Sequence, residues 1–180
     1  DGILTNGYFP DQTLFLLDHQ GRPLRWVVRG SPFTQSEMPD LVGRIQLNRN
    51  RLALNPLTRR FALAYQSVNR IDFYDADGVL VVSTHGPRPA VPSYHVAPGR
   101  DSPPQLRWQT GNQWAYVSVD GSERHVFALF CGDRCPEHTD YPTLLHVFNW
   151  DGTFLQELAL DRPVKMIGVT PDEESLIGVV

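Results

Sequence analysis

The sequence predicts an all-β chain, and three observations carry that prediction. Prolines interrupt the chain too often for long helices, since only 57–86, 105–135 and 143–162 run twenty or more residues without one. Within those stretches the apolar residues come in short runs rich in Val, Leu, Phe, Tyr and Trp, not at the i, i+3, i+4, i+7 spacing of a helix face. The runs stop at Asp-Gly or similar pairs, which accept the positive φ of tight hairpin turns.

The elements follow in chain order. Segments 14–21 and 23–28 form a first hairpin, turning at Asp18-His-Gln-Gly21. Segments 52–56 and 60–65 form a hairpin of a second kind, turning after Asn55-Pro56. The first kind returns at 71–82 around Asp75-Ala-Asp-Gly78, and the second at 115–130 around Asp120-Gly121. A third pair closes the series, at 145–158 around Asn149-Trp-Asp-Gly152 and at 166–180 around Pro171-Asp172. The turn glycines Gly21, Gly78 and Gly152 are 57 and 74 residues apart. The excess over the tightest repeats falls in two loops, 85–105 with six prolines and 132–143.

One hairpin of each kind makes a four-stranded antiparallel unit, and radial repetition of such units is a β-propeller. A sandwich or jelly roll also supplies many short strands, but it does not require two hairpin types alternating in fixed order. The expected fold is therefore a partial β-propeller of about three blade equivalents in a single domain over 1–180. Residues 1–30 supply one blade's outer hairpin, 44–84 a second blade, 106–160 a third, and 161–180 the inner hairpin of the next.

Composition narrows the function classes. The chain is 41% apolar and carries a net charge of −4, with pI near 5.8. A packed core is feasible, while no global positive field exists to attract nucleic acid or anionic lipid. The longest apolar run, 126–131, is far short of the roughly 20 residues of a membrane helix. The expectation is no nucleic-acid partner and no transmembrane segment.

The segments 60–78 and 145–152, continuing through Leu160-Asp-Arg-Pro-Val164 into Ile167-Gly-Val-Thr170, resemble the TolB-like six-bladed propeller family. The strand 127–130 and the strand that follows its loop resemble the same pattern, and the likeness covers about residues 50–180. It implies a blade's outer hairpin, a Leu-Asp-x-Pro crossover and the innermost strand of the next blade. It also implies a bacterial periplasmic, envelope or secreted location. The family carries no catalytic motif to transfer onto this chain.

Propellers close with four to eight blades. An unpaired blade face would expose ~400–500 Å² of apolar surface, worth on the order of 10 kcal/mol. The chain opens at Asp1 and both ends fall inside repeats, so the expectation is a fragment of a roughly twice-longer chain, or a half-propeller closed by self-association or another chain.

Candidate chemistry is sparse. Cys131 and Cys135, with His138 and Asp133, Glu137 or Asp140 nearby, read as a disulfide-closed loop, as free thiols, or as a metal site. Asp75 and Asp77 resemble the start of a calcium loop, but the downstream Glu is absent and Leu80-Val-Val82 reads as strand. Among the histidines His19, His85, His95, His125, His138 and His146, His85 and His95 border the Pro-rich loop and rank first as binding residues. Arg44, Arg49, Arg51, Arg59 and Arg60 form a basic run, with Arg29 and Arg70 outside it, expected on the solvent side of strands. Trp26, Trp108, Trp114 and Trp150 are spaced like blade-packing aromatics, with carbohydrate stacking the alternative.

No G-x-S-x-G elbow, G-x-G-x-x-G, G-x-x-x-x-G-K-[ST] or H-E-x-x-H occurs. No catalytic, cofactor-binding or metal residue is assigned from sequence, and no cofactor is expected. The functional expectation is a propeller scaffold binding a protein, peptide or small ligand, with 85–105 and 131–143 as its contact elements. The alternative is a propeller hydrolase or lyase acting on carbohydrate or lactone.

Overall fold

The computed structural model describes residues 3–6, 12–29, 43, 47–98, 104–132 and 141–180. Fifteen strands run through them. The first seven are β1 (Ile3–Asn6), β2 (Gln12–Leu17), β3 (Pro23–Arg29), β4 (Asn50–Leu54), β5 (Phe61–Tyr65), β6 (Ile71–Tyr74) and β7 (Leu80–Thr84). There follow β8 (Tyr94–Ala97), β9 (Gln105–Trp108), β10 (Trp114–Gly121) and β11 (His125–Gly132). The last are β12 (Leu144–Asn149), β13 (Phe154–Ala159), β14 (Met166–Val169) and β15 (Leu176–Val179). The chain divides into two compact units, Asp1–Arg49 with Tyr94–Gln109, and Asn50–Ser93 with Thr110–Val180.

The expected turn chemistry is present three times over. Asp18 Oδ1 accepts the Gln20 and Arg22 amides at 2.8 and 2.9 Å, and Asp75 Oδ1 accepts those of Asp77 and Val79 at 3.0 and 2.9 Å. Asp151 Oδ1 accepts the Thr153 amide at 2.9 Å. Gly21, Gly78 and Gly152 carry φ of 79°, 87° and 85°, a backbone region that a Cβ penalises. The Asp75–Asp77 segment is thus a hairpin turn whose carboxylate is spent on backbone amides. The second hairpin kind uses Asn55, Ser122 and Thr170 in the same way. Each side chain accepts amides across its own turn, Leu57 and Thr58 at Asn55, Arg124 and His125 at Ser122, and Ser175 at Thr170.

In the larger unit, β4-β5-β6-β7 and β10-β11-β12-β13 are four-stranded antiparallel meanders, and β14-β15 is a hairpin. The inner strand β10 packs against β4 and β5 on one side and β14 on the other. Ala53, Ala62, Ala64, Ile71 and Phe73 of the first meander meet Ala115, Val126, Ala128, Phe130, Phe148 and Trp150 of the second. Small residues on β5 leave room for the opposing rings, and Phe73 sets its edge against Trp150 at 6.2 Å and 89°. The second meander's other face, through Leu129 and Leu145, packs on Val164 and Ile167. Side chains also tie the inner strands together. Ser118 Oγ accepts the Ile167 amide at 3.2 Å, and Asp120 Oδ2 accepts the Val169 amide at 2.8 Å. A strand edge left without a ladder partner thereby keeps its donors satisfied. Four-stranded blades stacked through both faces and joined at their inner strands make this a partial β-propeller. Residues 160–165 carry the chain from β13 to β14 of the following blade.

The smaller unit holds the sheet β1-β2-β3 and the hairpin β8-β9. Here the strands differ from expectation. Residues 1–30 give three strands, because Ile3–Asn6 pairs along β2. The Pro-rich stretch 85–105 is not all loop: Tyr94 pairs with Trp108 and Ala97 with Gln105. Its prolines bracket the strands, none falling within 94–97 or 105–108, so the ladder loses no donor. The blade expected over 106–160 starts its sheet at Trp114, since Gln105–Trp108 is committed to β8. The blade expected from 44 starts its sheet at Asn50.

Met166, Ile177 and Val179 of the last hairpin are exposed, while Ile167 is buried against the preceding blade. Among the described residues no helix is long and apolar enough to cross a membrane.

Candidate functional site: an interblade cavity

The strand periodicity that buries Phe130 and Phe148 between blades also places His146 there, because all three point to the same side of their sheet. His146 has no exposed side-chain surface, and its ring stacks on Phe130 at 4.6 Å and 19°. A buried imidazole needs partners for both nitrogens. Nε2 lies 3.1 Å from Glu157 Oε2, directly across the β12–β13 ladder. Nδ1 lies 3.2 Å from the Tyr116 hydroxyl on β10.

The chain of bonds then crosses between blades and closes on itself. The Tyr116 hydroxyl donates to Asn69 Oδ1 at 2.9 Å. The Asn69 amide nitrogen donates to the carbonyls of Gly86, at 2.9 Å, and of Arg88. The Gly86 amide returns to Asn69 Oδ1 at 2.7 Å. Arg88 grips Glu157 with Nε and one terminal nitrogen, both at 2.6 Å, the two-pronged geometry that a guanidinium and a carboxylate share. Asn69, Tyr116, His146, Glu157 and Arg88 thus form one ring of hydrogen bonds.

The ring has a definite electrostatic state. Arg88, helped by His146, holds the Glu157 carboxyl down at about 2, well below its ordinary value. Burial pushes His146 below its ordinary value of 6.5; Glu157 opposes that shift and the Arg88 charge adds to it. Burial raises the Tyr116 hydroxyl, so it stays protonated. Glu157 can only accept, so it takes the Nε2 proton of a neutral His146, while the Tyr116 hydroxyl, its one proton on Asn69 Oδ1, presents its oxygen to Nδ1.

Beside this ring lies a cavity of about 290 Å³, lined by Arg88, Pro89, Gln113, Phe130, Cys131, Gly132 and Leu144. Two of these residues come from 85–105 and two from 131–143, the segments expected as contact elements. Cys131 is disulfide-bonded and no cysteine among the described residues is free. That removes Cys131 as a thiolate ligand and as a free thiol. Cys135, Asp133, Glu137, His138 and Asp140 lie outside the described residues. Among the described residues no group of three or more His, Cys, Asp or Glu is placed to hold a metal ion.

The other candidates are dispersed. His85 and His95 are exposed, His85 in the larger unit and His95 in the smaller. His19 is exposed in its turn. His125 lies at the start of β11, its Nδ1 2.8 and 2.9 Å from the Glu173 oxygens, with Arg124 3.0 Å from the same carboxylate. Ser122 also bonds Glu173, so this cluster pins the β10–β11 turn to the β14–β15 turn. Of the basic run, Arg51, Arg59 and Arg60 are exposed, as expected of a solvent side, and Arg51 donates to the Val117 carbonyl at 2.9 Å. Arg70 donates to the buried Asp72 at 2.7 Å, whose carboxylate also accepts from Tyr65 and Ser83. Arg44 lies outside the described residues, as does the side chain of Arg29. Trp150 is buried between blades and donates its indole N–H to the Ser122 carbonyl at 3.1 Å, while Trp108 packs on Tyr94 within its hairpin. Trp114 is half-buried at the start of β10, and the Trp26 side chain lies outside the description.

The ring itself is what sequence reasoning missed. His146 reads as an ordinary strand histidine, and Arg88 as one more residue of a proline loop. The available signal was His146 on the apolar parity of its strand, where a polar residue requires a partner.

No family model and no curated protein matches this chain. Among solved structures it is similar to the Neurospora crassa Pan2 WD40 domain, at TM-score 0.37 and 13% identity over 93% of this chain and 52% of that one. The chain therefore spans about half the length of that domain.

Proposed function

We propose that this chain is a propeller scaffold that binds a protein, peptide or small ligand at the interblade cavity. The convergence of 88–89 and 131–132, from different blades, on one recess carries the reading. The hydrogen-bonded ring behind the recess supports it, because a site held by locked side chains loses little entropy on binding. The Leu160-Asp-Arg-Pro-Val164 crossover favours a place among TolB-like propellers, and the disulfide at Cys131 favours an oxidising compartment such as the periplasm, the envelope or the exterior.

The test is a fragment screen read by backbone amide NMR. Hits should cluster on Gln113, Gly132 and Leu144, and Leu144→Arg, which fills the recess, should abolish them. Hits scattered over the surface, or unaffected by the substitution, would overturn the reading.

A further inference from the structure

The cavity and the ring share one residue. Arg88 forms part of the cavity wall and also holds Glu157. Among the described residues lining the cavity it is the sole charged one; the others are Phe130, Leu144, Pro89, the disulfide-bonded Cys131, Gly132 and the Gln113 amide. Described walls that offer one guanidinium, one amide and apolar surface complement an anion carried on an apolar stem. Resting on the binding reading above, we propose that the cavity takes a carboxylate with an apolar substituent, which competes with Glu157 for Arg88 and is bound together with a proton on His146.

The proton linkage follows from the ring's geometry. The groups facing His146 among the described residues are Glu157 from β13, Arg88 and Asn69 from the adjoining blade, and Tyr116 from β10; its neighbours Phe130, Phe148 and Phe154 carry no charge. A carboxylate drawing Arg88 toward the cavity weakens the cation's hold on Glu157 and adds negative charge near the ring. Both effects favour imidazolium. The added proton has a prepared place at Nδ1, where the Tyr116 oxygen accepts it while the Tyr116 proton remains on Asn69 Oδ1. Every donor of the charged ring is then satisfied without moving a backbone atom. The step is an exchange of ion-pair partners plus uptake of one proton from solvent, with no bond formed or broken to carbon.

Phenylacetate serves as the probe and phenylacetamide as its neutral counterpart, titrated against the intact chain by NMR with the His146 ring protons observed. Phenylacetate should bind at the cavity amides, about tenfold tighter than the amide. Its affinity should rise about threefold or more between about pH 8 and about pH 5.5, where the acid remains ionised. The His146 titration should move to higher pH when it is bound. Glu157→Gln, which removes the competing carboxylate, should tighten phenylacetate binding and flatten its pH dependence. Equal binding of acid and amide, a pH-independent affinity, or weaker binding to Glu157→Gln would overturn the proposal while leaving the cavity a binding site. Absence of any ligand at the cavity would overturn the binding reading itself. A peptide ending in Phe, compared as free acid and as C-terminal amide, separates a peptide carboxyl from a free acid: selective binding of its free-acid form assigns the site to chain termini, and binding of phenylacetate alone assigns it to small acids.

Discussion

His146 and Glu157 face one another across the β12–β13 ladder with Nε2 and Oε2 3.1 Å apart, one fully buried and the other partly open to solvent. The pair joins a dry interblade core to the wet rim where Arg88 sits, so the protonation of the interior answers to charge at the surface. Stability should show it. Burial lowers His146 and Arg88 lowers Glu157, so both groups hold fewer protons folded than unfolded, and stability falls as pH falls. The His146 contribution is complete above its ordinary 6.5 and is lost below it; the Glu157 contribution is complete above its ordinary 4.5 and is lost toward about 2. Melting temperature measured from about pH 8 to about pH 3 should drop by several degrees, and Glu157→Gln should flatten the acid limb. A level profile in the parent chain would contradict the ring.

Gly86 is fixed by crowding, not by φ. A Cβ there would overlap the Tyr116 oxygen and stand 2.7 Å from His146 Nδ1. Gly86→Ala should cost about 2 kcal/mol in denaturant unfolding, the usual scale of overpacking, and should shift the His146 ring resonances. An unchanged unfolding midpoint would mean that the three groups are not so closely packed.

Asp120 holds successive blades together through the Val169 amide. Asp120→Ala should destabilise by about 1–2 kcal/mol, since it strands a donor. The decisive reading is hydrogen exchange: the Val169 amide should exchange about tenfold faster while Val126, inside its own sheet, does not. Uniform acceleration at both amides would point to global loosening instead.

Cys131 should be unreactive as isolated. Alkylation without reductant should leave both cysteines of the chain unmodified in native and in denatured protein, and reductant in denaturant should expose two thiols by intact mass. Labelling of the denatured chain without reductant would show that the bridge does not form.

What was legible in the sequence was local. The Asp18, Asp75 and Asp151 turns form because a carboxylate two residues before an amide can accept it whatever the rest of the chain does. Three such turns, alternating with the Asn55, Ser122 and Thr170 turns, are enough to mark out the blades. Strand β8 escaped notice because four residues between prolines carry too little period to read, and its partner lies beyond more prolines.

The turns, the strand parity and the alternation of hairpins are therefore written in neighbouring residues, and they determined a propeller by themselves. Which polar groups meet was decided by stacking blades. Arg88 and Glu157 are 69 residues apart, and Asn69 and Tyr116 47. No short window of sequence contains such pairs. Their bonds exist because Phe73, Phe148 and Trp150 bury one blade face against the next, and the polar side chains caught at that seam must pair with one another once water is excluded.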